Sequence, residues 1–352
     1  MKLNNLRTGL TFDDVLLVPQ KSTIRSRHDV SLETTFSRNI KLRIPISAAN
    51  MDTVCESEMA IAIANLGGIG VIHRFMTTTA QANQIRLVKD QGDLLVGAAI
   101  GTDHDMLDRS KELVDSGADA LVLDIAHGHA DHAIQAVVEL KKMFTSIDVI
   151  AGNVATRRGA EDLIRAGADA IKVGVGPGGV CTTRLVAGVG VPQLTAIDDI
   201  AGIDVPIIAD GGIRTSGDIA KALATGANSV MVGSLLAGTK ESPGEIEQGP
   251  TGLRKRIRGM ASFEAVEARA ERQGEDLDEQ FFEQRAAEGV EGTVPYRGEV
   301  SKLIWNLLAG LRSSMSYSNS TTLEEFARKS EFIRVTPLGF PENTPHATTR
   351  TI

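Results

Sequence analysis

The sequence predicts an α/β protein closed into a (β/α)8 TIM barrel. Three observations carry this. From residue 44 onward, short apolar runs recur, each ending near Gly, Asn or Asp and each followed by an amphipathic stretch. The runs number eight: 44–49, 68–72, 96–100, 120–125, 149–154, 170–175, 206–210 and 229–233. They are nearly all apolar and rich in β-branched residues, the pattern of parallel strands covered on both faces. The length, 352 residues with 42% hydrophobic, is ordinary for one barrel. A doubly wound open sheet is the alternative, and eight regular units favour closure.

Composition narrows the function classes. The net charge of −8 offers no basic footprint for nucleic acid. An acidic chain can still hold a phosphorylated ligand through glycine loops and helix N-termini. Cys55 and Cys181 are the only cysteines, so spacing suggests neither a disulfide framework nor a metal cluster. No signal peptide and no bilayer-length apolar run is visible, so a soluble, cytoplasmic protein with no membrane partner is expected.

The elements follow in order. Residues 1–43, with GLTFDDVLLVPQKS, read as an extended arm in which Asp13 and Asp14 are structural. The barrel units come next, with helical patterns such as 106–116 and 157–166 between the strands. Polar residues fall at the strand ends, where barrel enzymes place their chemistry. Asn50, Met51, Asp52 and Thr53 follow strand one, and His73, Arg74 and Phe75 follow strand two. Asp124 ends strand four, ahead of His127 and His129; Asn153 ends strand five. No third ligand stands at a suitable spacing from the two histidines, so they read as hydrogen-bonding rim residues and not as a metal site.

Strand six delivers the stretch richest in chemistry, KVGVGPGGVCTTRLVAGVGVPQ from Lys172 to Gln193. Its glycines let backbone amides and carbonyls face a ligand or cation. Cys181 beside Arg184 is a candidate nucleophile with a lowered pKa. Strands seven and eight end in Asp210-Gly211-Gly212 and Gly233-Ser234. Their amides suit a phosphate, and Asp210 suits ribose hydroxyls. Tight turns alone would explain either pair; both together, in the last two units, favour a phosphate site.

Residues 239–300 break the rhythm. They are polar, with little apolar periodicity before Phe263, and read as a mobile flap over the barrel mouth. A helix is expected over 300–311, then a tail from Phe332 that is extended or disordered.

GxGPGxxCTTR followed by GVGVPQL resembles the active-site loop of the IMP dehydrogenase/GMP reductase family, with support along nearly the whole chain. The resemblance implies a barrel with an arm and a flap, a homotetramer, and attack of Cys181 on C2 of a purine nucleotide, GMP or IMP. It implies nucleotide contacts at Asn50, Asn153, Gly178, Gly179, Asp210, Gly211, Gly212, Gly233, Ser234, Arg258, Gly259 and Met260. It places a nicotinamide cofactor, NADPH or NAD, near Asp124, Ile125, Ala126 and Gly174. It also implies a monovalent cation such as K+ on the carbonyls of Gly176, Gly178 and Cys181.

Departures from the family pattern matter. Residues 75–96 leave room for one helix and a turn, so the regulatory CBS pair of most IMP dehydrogenases is missing. Gly179 stands where a serine is frequent, and Ile257 where a tyrosine is usual. Dehydrogenases of the family activate water with an adjacent Arg-Tyr pair in the flap. Here Gln280-Phe281 occupies that place, and neither residue can serve as a base. Reductases use a threonine two residues after the cysteine and a flap glutamate, matched by Thr183 and Glu288. The expectation is therefore NADPH-dependent reductive deamination of GMP to IMP. A dehydrogenase without CBS motifs and an idle nucleotide-binding paralogue are the alternatives.

Overall fold

The computed structural model describes residues 6–250, 252–277, 282–283 and 285–343. The eight expected strands form one closed parallel barrel. They are β1 (Ile46–Ala48), β2 (Ile69–Ile72), β3 (Val96–Ile100), β4 (Ala120–Leu123), β5 (Asp148–Val154), β6 (Ala170–Val173), β7 (Ile207–Asp210) and β8 (Ser229–Val232). Closure comes from β8 on β1, with Val230 beside Ile46. Nearly every strand residue is buried on both faces, which is why the runs lack polar alternation. Between β2 and β3 lies one helix, Thr78–Lys89, and no inserted domain.

The helices start where a hydroxyl can satisfy the first free amides. Thr77, Thr156 and Thr215 each accept an N–H of the turn that follows. Two helices are tied to neighbouring strands by the same device. Lys89 pairs with Asp119 at 2.7 Å, and that carboxylate also accepts the Val96 amide. Lys141 pairs with Asp169 at 2.7 Å, which accepts the Val149 amide.

The arm is more than a linker. Phe12, Val15, Val30, Leu32 and Phe36 are buried in the same core as the barrel. Its strand Val15–Leu17 pairs antiparallel with Phe332–Arg334 of the tail, so that part of the tail is extended and paired. The C-terminal helix runs on from Val300 to Tyr317. The flap region also carries regular structure. Strands β9 (Ile246–Gly249), β10 (Gly252–Arg258) and β11 (Glu291–Pro295) form an antiparallel sheet, with the helix Phe263–Gln273 between β10 and β11 in the chain. Among the described residues, no helix is long and apolar enough to cross a membrane.

Candidate active site

The C-terminal ends of the strands and the flap enclose a cleft of about 740 Å³. Every residue that the sequence placed at nucleotide, cofactor or cation lines it, with one exception, Arg258. Glu288 of the flap and Cys181 of the strand-six loop line the same cleft.

Cys181 sits on a short turn closed by its own amide, which donates to the Gly178 carbonyl at 3.1 Å. The thiol lies 3.2 Å from the Thr183 hydroxyl. The flap then runs antiparallel to this turn. Thr182 N–H donates to the Glu288 carbonyl at 3.0 Å, Val290 N–H donates to the Val180 carbonyl at 3.0 Å, and Thr182 Oγ1 donates to the Ala287 carbonyl. Backbone bonds therefore hold the flap glutamate beside the cysteine turn. A thiol and a hydroxyl meet here, and a glutamate lines the same cleft, which suits attack on an electrophilic carbon and proton transfer to a leaving group.

Arg184 has a different task from the one expected. Its Nη2 donates to the Val191 carbonyl at 2.9 Å. Its stem fills the space over Gly176, where a Cβ would lie 2.8 Å from Arg184 Cγ. Gly176 also has φ +86°, so both space and backbone require glycine. Arg184 thus braces the loop's return, and among the described residues its one hydrogen bond is not to the cysteine.

The opposite wall is built from three strand ends. Asp210 Oδ2 accepts from Lys172 Nζ at 2.6 Å and from Asn153 Nδ2 at 2.9 Å. Asn153 Nδ2 also donates to the Gly174 carbonyl at 2.8 Å. Lys172 is only 4% exposed, and a buried ammonium needs this partner. One carboxylate oxygen is thus fixed from behind, and the other is available to accept from hydroxyls in the cleft. Gln193 donates to the carbonyls of Val173 and Asp210, locking the ends of β6 and β7 together.

On the third side, Asp124 meets Arg74 Nε at 3.3 Å. Arg74 also approaches Asp103 at 3.4 Å and lies over the Phe75 ring, 5.6 Å from its centroid. Ile125 and Ala126 continue this wall, zipped to β5 by Asn153 N–H to the Ile125 carbonyl and Gly128 N–H to the Asn153 carbonyl. His129 bonds Asp162 at 2.7 Å, a rim contact.

Arg258 stands outside this lining. Its Nε donates to Asp52 Oδ2 at 2.8 Å, its Nη2 also contacts that oxygen, and Glu291 lies 3.6 Å away. Asp52 is buried, so the guanidinium neutralises it and ties β10 to the end of β1. Its neighbours Gly259 and Met260 do line the cleft, and so does the buried Ile257. A Cβ on Gly179 would lie 3.0 Å from Ser234 Oγ, so these two positions face each other on the expected phosphate side. The pair Gln280-Phe281 lies outside the described residues.

Residues 9–346 match the family described as IMP dehydrogenase / GMP reductase domain. The chain belongs to this family. It is 43% identical to an inosine-5'-monophosphate dehydrogenase of Cryptosporidium parvum over 98% of this chain and 97% of that protein. It is 36% identical to a GMP reductase of Leishmania major over 98% of each. That alignment is longer than this chain, so the Leishmania protein carries residues without a counterpart here. Among solved structures, a GMP reductase from Trypanosoma brucei in complex with guanosine 5'-monophosphate superposes with a TM-score of 0.93 at 35% identity, over 99% of this chain and all of that one. The family consists of oxidoreductases acting on purine nucleotides with a nicotinamide cofactor, and the CBS pair is absent here.

Two residues of the cleft were passed over in the sequence reading. Lys172 carried a signal: a lysine inside an otherwise apolar barrel strand must find a buried counter-charge. Arg74 carried a weaker one, standing at a strand end among other polar residues.

Proposed function

We propose that this protein reduces GMP to IMP, releasing ammonia, with NADPH as the reductant. The observation that carries the direction concerns the water-activating group. The chain has two tyrosines, Tyr296 and Tyr317, and neither lines the cleft. A hydrolytic step by an Arg-Tyr pair therefore lacks its phenol. The reductive direction needs no such step, only proton delivery to an amine, and Thr183 and Glu288 are beside Cys181 for that purpose.

Cys181 attacks C2 of GMP as thiolate. The exocyclic amino group leaves as ammonia, its proton supplied through Thr183 and Glu288. The product of this half is a thioimidate between Cys181 and C2. A bound nicotinamide would supply the hydride that C2 then needs, after which the C–S bond breaks to return the Cys181 thiolate and IMP. The fit of a nicotinamide rests on the wall of Asp124, Ile125 and Ala126, which lines the same cleft as Cys181. Asp210 accepts the ribose hydroxyls, while amides of Gly212, Gly233 and Ser234 hold the phosphate at the start of a short helical turn.

The resemblance adds a homotetramer in the cytoplasm and a K+ on the carbonyls of Gly176, Gly178 and Cys181. The steps above use no cation; comparing rates in K+ and Na+ tests that part. The second reading is an IMP dehydrogenase using NAD, favoured by the names of two relatives at 40% identity and above. The experiment supplies GMP with NADPH and, separately, IMP with NAD. Ammonia from the first mixture supports the reductase. NADH from the second, with no ammonia from the first, overturns it.

A further inference from the structure

The flap helix Phe263–Gln273 is a strut between the Glu288 side of the cleft and the segment that follows β2. At its start, Ser262 Oγ accepts the Ala265 amide. The preceding residue, Ala261, accepts the Glu288 amide at 3.1 Å. At its end, Arg272 Nη1 lies 3.5 Å from Glu56 Oε1 and 3.5 Å from the Phe75 carbonyl. His73 is fully buried beneath it. Phe75 N–H donates to His73 Nδ1 at 3.1 Å, so the ring proton sits on Nε2 and is donated to Glu56 at 3.1 Å. Arg272 faces Glu56 as well, and its Nη1 lies 3.5 Å from His73 Nε2. Two neighbours reinforce the end: Gln273 Nε2 donates to the Met76 carbonyl at 3.2 Å, and the Arg269 guanidinium lies 5.8 Å from the Phe75 centroid.

None of Glu56, His73 and Arg272 lines the cleft. They anchor one end of a helix about 16 Å long, at 1.5 Å per residue. The other end holds Glu288 by its amide. A helix is stiff along its axis, so an error at the rim is carried to the glutamate.

We propose that Arg272 is a positioning residue: clasped by Glu56 over His73, it sets the flap helix so that Glu288 stays in register with Cys181. This rests on the role given to Glu288 above. A 1 Å misplacement of a catalytic group is costly, and this clasp, itself outside the cleft lining, sets that register.

The test compares Arg272→Ala, Arg272→Lys, Glu288→Gln and the double variant Arg272→Ala/Glu288→Gln. Arg272→Ala should lower kcat on the order of tenfold and leave the GMP dissociation constant within about twofold. Arg272→Lys should recover part of the loss. The double variant should be no slower than Glu288→Gln alone, because Arg272 acts through Glu288. Losses that multiply would overturn the proposal. Hydrogen exchange gives a readout independent of turnover. In Arg272→Ala the amides of Glu288 and Val290 should exchange faster while those of β8 keep their protection. Unchanged exchange at Glu288 and Val290 would also overturn it. If the wild type turned over no purine nucleotide, the proposed function would fall, and the exchange measurement would still decide the clasp.

Discussion

The two walls of the cleft are built by different means. The Asp210 wall consists of strand ends, and its polar groups are held by side-chain bonds of 2.6 to 2.9 Å among Lys172, Asn153 and Asp210. The Glu288 wall is a flap, held to the cysteine turn by backbone bonds and to the segment that follows β2 by one helix. The first wall is placed by the barrel itself. The second depends on contacts between segments distant in sequence, such as Arg258 with Asp52, 206 residues apart. The difference suggests a division of labour: the rigid wall binds what all members of the family bind, and the flap decides what reaches C2 next.

The largest expected effect falls where the walls meet. Cys181→Ala should reduce turnover on the order of 10³-fold or more, with GMP still bound by the strand-end wall. Equal loss of binding would break the division.

Lys172→Met tests the rigid wall. It leaves Asp210 without its buried counter-charge and should cost about 3 kcal/mol of stability, seen in denaturant unfolding, together with weaker nucleotide binding. Among the described residues Glu288 is in no buried ion pair, so Glu288→Gln should leave the unfolding midpoint nearly unchanged.

A smaller effect belongs to the hydroxyl at 3.2 Å from the thiol. Thr183→Val should slow turnover about 10²-fold with little change in nucleotide affinity, and Thr183→Ser should restore much of it. An unchanged rate would remove Thr183 from the proton path.

The smallest effect is a pH dependence of the flap. Burial pushes the Glu56 carboxyl up, but the hydrogen bond and electrostatic attraction of His73, together with Arg272, outweigh it and hold it below its ordinary value of 4.5. A depressed carboxylate contributes stability above its unfolded pKa and loses it as pH falls through the folded one. Exchange at the flap amides should therefore be steady down to about pH 5 and accelerate below about pH 4.5. In Arg272→Gln the acceleration should begin at higher pH.

The same division explains what could be read from sequence. The barrel was legible because its strands are apolar on both faces, and strand-end residues such as Asp124, Asn153 and Asp210 inherit their location from the fold. The flap was not. Strand β10 alternates in burial, with Lys255 and Ile257 inward, but the run Arg254-Lys255-Arg256 hides that period behind charge. Lys255 is buried because its ammonium donates to the carbonyls of Thr239 and Ser242, partners no local pattern announces. The ion pair of Arg258 was hidden for a similar reason, since its partner Asp52 lies at the other end of the barrel sequence. The bracing role of Arg184 was not legible, because only the fold turns its stem onto Gly176.

The central claim is that the flap of this chain directs the cysteine intermediate toward hydride and away from water. The most direct measurement is a single-turnover reaction of the enzyme with GMP and NADPH, following ammonia release and NADPH absorbance together. The account predicts one ammonia and one NADP+ per active site, with IMP as the product. NADH formed rapidly from IMP and NAD, with XMP released and no ammonia from GMP, would contradict it.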